Sequence, residues 1–138
     1  MVAFRSLAWC VTWMCMIGCT SAPASPEQNA AAVFTWSRDG GFAGFCDTLQ
    51  ISATGDATAA SCKVSASQTR KLSSDDLARL NAWRQAYGAV SITSTDGGVA
   101  DGMTLKLKMN GTGRGQPTEA QQAELLDWAQ RVFATTKG

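Results

Sequence analysis

Gly102-Met103-Thr104-Leu105-Lys106-Leu107-Lys108-Met109-Asn110 is the stretch whose reading decides the fold. Met103, Leu105, Leu107 and Met109 alternate with Thr104, Lys106 and Lys108. Successive side chains of a β-strand point to opposite faces, so this spacing predicts a strand with one face in a core and one in water. A single wet face is the mark of an antiparallel sheet covered on one side. Immediately upstream, Ala89–Ser94 puts Val90 and Ile92 on one face and predicts the partner strand. Thr95–Asp101 (TDGGVAD) joins the two as an acidic, mobile hairpin loop.

Two helices flank this pair. Leu72-Ser73-Ser74-Asp75-Asp76-Leu77 opens one, with an N-cap serine, carboxylates in the first turn, and Leu72 spaced to staple against Leu77. Leu77, Leu80, Trp83 and Tyr87 then recur at helical spacing, and Gly88 is a natural stop. The second opens at Pro117-Thr118-Glu119-Ala120-Gln121, where Thr118 and Gln121 fit a capping box. Leu125, Trp128, Ala129 and Val132 form its stripe, with Leu126 and Phe133 beside it. Trp83 and Trp128 thus read as core.

Further toward the N-terminus, Ala32-Val33-Phe34-Thr35-Trp36-Ser37 reads as a strand ending at the breaker Asp39-Gly40-Gly41. Phe45–Ser52 follows, with Phe45, Leu49 and Ile51 on one face and Cys46, Thr48 and Gln50 on the other. Ala53-Thr54-Gly55-Asp56 is turn chemistry, and Ala57–Val64 is expected to return as a third strand. A loop at 53–55 sets a hairpin register that, followed outward, brings Cys46 opposite Cys62, close enough for a disulfide. That register puts the cysteines on the face away from Leu49 and Ile51. The order β-β-β-α-β-β-α predicts an α+β domain, an antiparallel sheet of about four to five strands packed by two helices on one face.

Composition narrows function. The 138 residues carry a net charge of +1, only 17% are charged, and histidine is absent. Without a basic surplus, electrostatic binding to nucleic acid is not expected. Without imidazole, histidine-ligated zinc and the Ser-His-Asp triad are excluded. No other nucleophile has an evident base, so neither catalytic residue nor cofactor is expected, and the chain reads as a non-enzyme.

The N-terminus reads as an address. Met1–Arg5 carries one positive charge and Ser6–Ile17 is an uncharged run too short to span a bilayer. Met16-Ile17-Gly18-Cys19 resembles the bacterial lipobox, in which the cysteine is lipidated and becomes the new N-terminus; an ordinary signal peptide cut nearby and a buried apolar helix are the other readings. Residues 1–18 are then the signal, 19–32 a proline-broken tether (from Thr20, TSAPASPEQNAAA), and 33–138 the domain. Cleavage removes Arg5 and leaves acidic and basic residues equal in number. Cys10 and Cys15 leave with the signal and Cys19 takes the lipid, so Cys46 and Cys62 remain to pair. The expected location is the bacterial envelope, on the outer membrane facing the periplasm, with the lipid as membrane anchor.

Asp39, Asp96 and Asp101 match no calcium-loop spacing, so no metal site is expected. Asn110–Gly115 (NGTGRG) looks like a phosphate loop but lacks the Gly-Lys-Ser/Thr ending, and reads as a flexible connector. Arg38-Asp39-Gly40-Gly41-Phe42-Ala43-Gly44-Phe45-Cys46 is the unusual segment. Its glycines permit positive φ and close backbone approach, yet two phenylalanines sit among them. Two readings stand: Phe42 caps the sheet edge, or it is presented to a partner.

Gly-Gly-Phe-Ala-Gly directly after an N-terminal strand resembles emfourin and its relatives, small protein inhibitors of thermolysin-like (protealysin-type) metalloproteases. Asp39–Gly44 carries the likeness, with looser support from Leu72–Leu80 and Leu125–Val132. The order of elements is similar over Val33–Ala134. This chain differs in having Asp39 where serine is usual, in its cysteine pair and in its leader. The resemblance implies a protein partner, a thermolysin-like metalloprotease, blocked at its active site by the glycine-rich loop. From the residues themselves, Asp39, Gly40, Gly41, Phe42, Gly44 and Phe45 are the candidate contacts. Phe42 or Phe45 would fill an apolar subsite with Asp39 near the metal, and Thr95–Asp101 would add a second contact. The other reading is a non-inhibitory assembly lipoprotein that binds another envelope component.

Overall fold

The computed structural model describes residues 31–95 and 102–138. Its elements run β1 (Ala32–Gly40), β2 (Phe45–Ser52), β3 (Asp56–Ser61), β4 (Val64–Lys71), α1 (Ser74–Ala86), β5 (Ala89–Thr95), β6 (Met103–Asn110) and α2 (Glu119–Lys137). The fold is α+β, with one sheet in the order β4-β3-β2-β1-β6-β5 and antiparallel pairing throughout. Residues 1–30, with the expected signal, Cys19 and most of the tether, lie outside the described residues, as do residues 96–101. No helix among the described residues is long and apolar enough to cross a membrane.

Both helices cover one face of the sheet. Phe34 and Trp36 of β1, Leu49 and Ile51 of β2, Leu107 and Met109 of β6, and Val90 and Ile92 of β5 meet Leu80 of α1 and Leu125, Trp128, Ala129, Val132 and Phe133 of α2. Trp128 is the hub, edge-on to Phe34 at 5.3 Å and to Trp83 at 5.2 Å. Burying each large apolar side chain contributes roughly 1.5–3 kcal/mol, which lets a modest domain hold together. Each helix starts where its cap chemistry requires. The Ser73 hydroxyl accepts from the Asp76 amide at 3.1 Å. Thr118 and Gln121 form the reciprocal box, with the Thr118 amide donating to Gln121 Oε1 at 2.9 Å. Asp76 also accepts the buried Trp128 indole N–H at 2.8 Å, tying the start of α1 to the middle of α2.

Three expectations need correction. The sheet has six strands rather than four to five, because Val64–Lys71 is a strand that periodicity does not reveal. All eight of its residues are exposed at the sheet edge, so no apolar alternation marks it. Its pairing with β3, from Asp56↔Lys71 to Ala59↔Gln68, makes it a strand. For the same reason β3 stops at Ser61 instead of running to Val64, since Cys62 and Lys63 turn the chain back to pair Ser61 with Val64. The third concerns Asn110–Gly115, which is packed rather than free. The Thr112 and Gly113 amides reach the carbonyls of Arg84 (2.7 Å) and Tyr87 (2.9 Å), and Gly115 donates to Ala86 at 3.1 Å. The run caps the carbonyl end of α1, and its glycines are there because side chains would strike that backbone.

Candidate functional site

The β1–β2 hairpin ends in the glycine-rich turn. β1 continues through Asp39 to Gly40, past the expected breaker, and Gly40↔Phe45 is the last pair. Gly40, Gly41 and Gly44 hold φ of 85°, 71° and 58°, a region costly for residues with a Cβ. At Gly40 a Cβ would also come within 2.9 Å of the Gly102 carbonyl. The Gly44 amide closes the turn on the Gly41 carbonyl at 2.8 Å.

Phe42 stands at the apex and is 99% exposed. It does not cap the sheet edge. Phe45 behaves differently: it is half-buried on the helix side of the sheet, with the Arg38 guanidinium 3.9 Å above its ring and the Lys63 ammonium at 5.3 Å. Of the two phenylalanines, Phe42 alone projects freely. Asp39 is exposed and faces the open side, paired with Cys46 and Thr104, so strand alternation separates it from Phe45. Gly40, Gly41 and Gly44 shape the backbone. Thr95, the first residue of the expected second contact, and Gly102, which follows it, lie at the same end of the sheet, beside Thr104 and Gly40. Residues 96–101 themselves are outside the described residues.

Behind the turn lies a brace. Arg38 donates through Nε to Asp47 Oδ2 at 3.1 Å and through Nη2 to the same oxygen, and their side chains are only 17% and 4% exposed. Burial pushes the Asp47 carboxyl up, but hydrogen bonds from Arg38 and Ser61 and the charges of Arg38 and Lys137 outweigh it and hold the carboxyl below its usual range. Lys63 donates its ammonium to the Ala43 carbonyl of the turn. Cys46 and Cys62 are joined as a disulfide with Cα atoms 5.7 Å apart, in the register their spacing implied. The bridge lies on the open side of the sheet, away from the core.

Arg38, Asp47 and Lys63 received no role from sequence. Lys63 was within reach of it, because the register that opposes Cys46 to Cys62 opposes Phe45 to Lys63 one step further out. A separate groove between β4 and α2 is lined by Arg70, Lys71, Arg131 and Thr135, among others. Its cations are already engaged: Arg70 with the Thr135 carbonyl, Lys71 with Asp56, and Arg131 with Asp127. Among the described residues, no three His, Cys, Asp or Glu side chains gather as a metal site. Family models, curated proteins and solved structures yield no match to the chain.

Proposed function

We propose that this is a lipid-anchored envelope protein whose domain binds a protein partner through the Gly40–Phe45 turn, and that the partner is a thermolysin-like metalloprotease whose cleft the turn fills. One observation carries the reading: a fully exposed phenylalanine at the apex of a turn braced by a disulfide, an ion pair and a lysine. A large apolar side chain held in water gains nothing from folding, and at the tip of a braced turn it is placed to enter a partner's pocket. Bracing lowers the conformational cost of association, which is the requirement for an inhibitor that works by shape rather than by chemistry. Inhibition needs no catalytic group and no cofactor from this chain. Phe42 is the anchor for an apolar subsite, and Asp39 lies on the side of the hairpin opposite Phe45.

The test is residual activity of a thermolysin-like protease titrated with the purified protein. Inhibition at micromolar concentration or tighter is expected, and Phe42→Ala should weaken it by ~2 kcal/mol, about thirtyfold, as for a buried aromatic anchor. Absence of inhibition at that concentration refutes the protease reading and leaves the assembly lipoprotein, for which an immobilised domain should retain a non-protease envelope component.

A further inference from the structure

We propose that Lys63 is the positioning residue of the 41–44 turn and that the Cys46–Cys62 disulfide governs it, so that reduction slackens the turn; the inference rests on the turn being the contact surface. Phe45 and Cys46 are neighbours on β2, and Cys62 and Lys63 form the connection from β3 to β4. The last backbone rung between β2 and β3 is Asp47↔Ser61. Beyond it the disulfide is the cross-link, and the Cys62 amide meets Cys46 Sγ at 3.2 Å rather than a ladder carbonyl. The bridge, together with the Ser61↔Val64 pair that closes the two-residue turn at 62–63, sets where Lys63 stands relative to the 41–44 turn. From there Lys63 spans the remaining gap, with its ammonium on the Ala43 carbonyl and over the Phe45 ring.

The same layout makes the control local. The rungs from Asp47↔Ser61 to Ile51↔Ala57 lie inside the bridge and keep the sheet paired when it opens. Cys62 is exposed, so a dithiol reductant can reach it. The step balances: the dithiol gives two electrons and two protons, the S–S bond breaks to two thiols, and the reductant becomes a disulfide. Lys63 is then free to leave Ala43, and the turn loses an attachment independent of the β1–β2 ladder.

The experiment uses the purified full-length protein and two readouts, amide hydrogen exchange at Gly44, whose N–H donates to the Gly41 carbonyl, and the inhibition constant against a thermolysin-like protease. Dithiols bind metals, so the protease assay uses a Cys46→Ser/Cys62→Ser variant in place of reductant. Loss of the bridge should speed exchange at Gly44 and weaken inhibition about twofold to fivefold, in line with losing one charge-assisted hydrogen bond at an exposed site. Lys63→Met, which keeps the aliphatic stem, should cause a similar loss. Combining it with the cysteine changes should add nothing further, and Lys63→Arg should restore most of the effect. Unchanged exchange and inhibition in Lys63→Met, or losses that multiply in the combined variant, overturn the coupling. If exchange follows this pattern while the wild type inhibits no protease, the coupling stands and the choice of target falls.

Discussion

Asp47→Asn isolates one charge of the pair beneath the turn. Breaking a buried ion pair by removing one partner costs about 3–5 kcal/mol, because the remaining charge is left uncompensated. Here Arg38 keeps 17% of its side-chain exposure and its stacking on Phe45, and asparagine still offers an acceptor oxygen. The expected cost at neutral pH is therefore lower, ~2–3 kcal/mol, which in a domain of about a hundred residues lowers Tm by roughly 8–20 °C. The pH dependence follows from the depressed carboxyl pKa. Folded Asp47 binds its proton less readily than the unfolded chain does. Its contribution is thus fully present above the unfolded value of about 4 and is lost as pH falls through the lower folded value. Thermal unfolding of wild type and variant at pH 7 and at about pH 2 measures both effects, and the gap should narrow sharply in acid. Arg38→Met with Asp47→Asn should recover part of the loss at neutral pH, since no lone charge remains. A gap below ~1 kcal/mol at pH 7, or one unchanged in acid, refutes the claim that this pair supports the base of the turn.

Phe42→Ala should leave the melting temperature within about 2–4 °C of wild type, because an exposed surface position contributes within ±0.5 kcal/mol; a larger loss would mean that the ring packs on the domain. Gly113→Ala should cost ~2–3 kcal/mol in urea unfolding, since its Cβ overlaps the Gln85 and Ala86 backbone at the end of α1; a neutral result would show the 110–115 run to be free. Cys19→Ser should abolish acylation and leave an uncleaved or mis-cleaved precursor, read from the intact mass of the membrane fraction. A wild-type chain beginning elsewhere without acyl mass would remove the anchor.

Much of the fold is legible in the chain because its signals are local. Met103–Met109 alternates so regularly that its face and pairing type follow from spacing alone. Ser73, Thr118 and Gln121 mark the helix starts because an N-cap satisfies amides one turn away. The Cys46–Cys62 pair is legible for a related reason, as a short turn carries its register outward along two strands. The glycine turn was visible as a segment, but the separate fates of its phenylalanines were not. Phe42 and Phe45 are the same residue type in the same run, and only the sheet decides which ring lies under Arg38 and which stands in water.

What the tertiary structure alone decided is whatever depends on neighbours distant in sequence or on edges. β4 carries no apolar pattern because an edge strand is held by its ladder with β3, and a ladder is blind to side-chain type. Arg38 and Asp47 look like ordinary surface charges until β1 and β2 pair and set them side by side beneath the turn. Asn110–Gly115 looks loose because glycine is common in loops, whereas here it lets one backbone press against the end of α1. In each case the deciding contact joins groups that local sequence does not pair, so its free energy exists only once the chain has closed on itself.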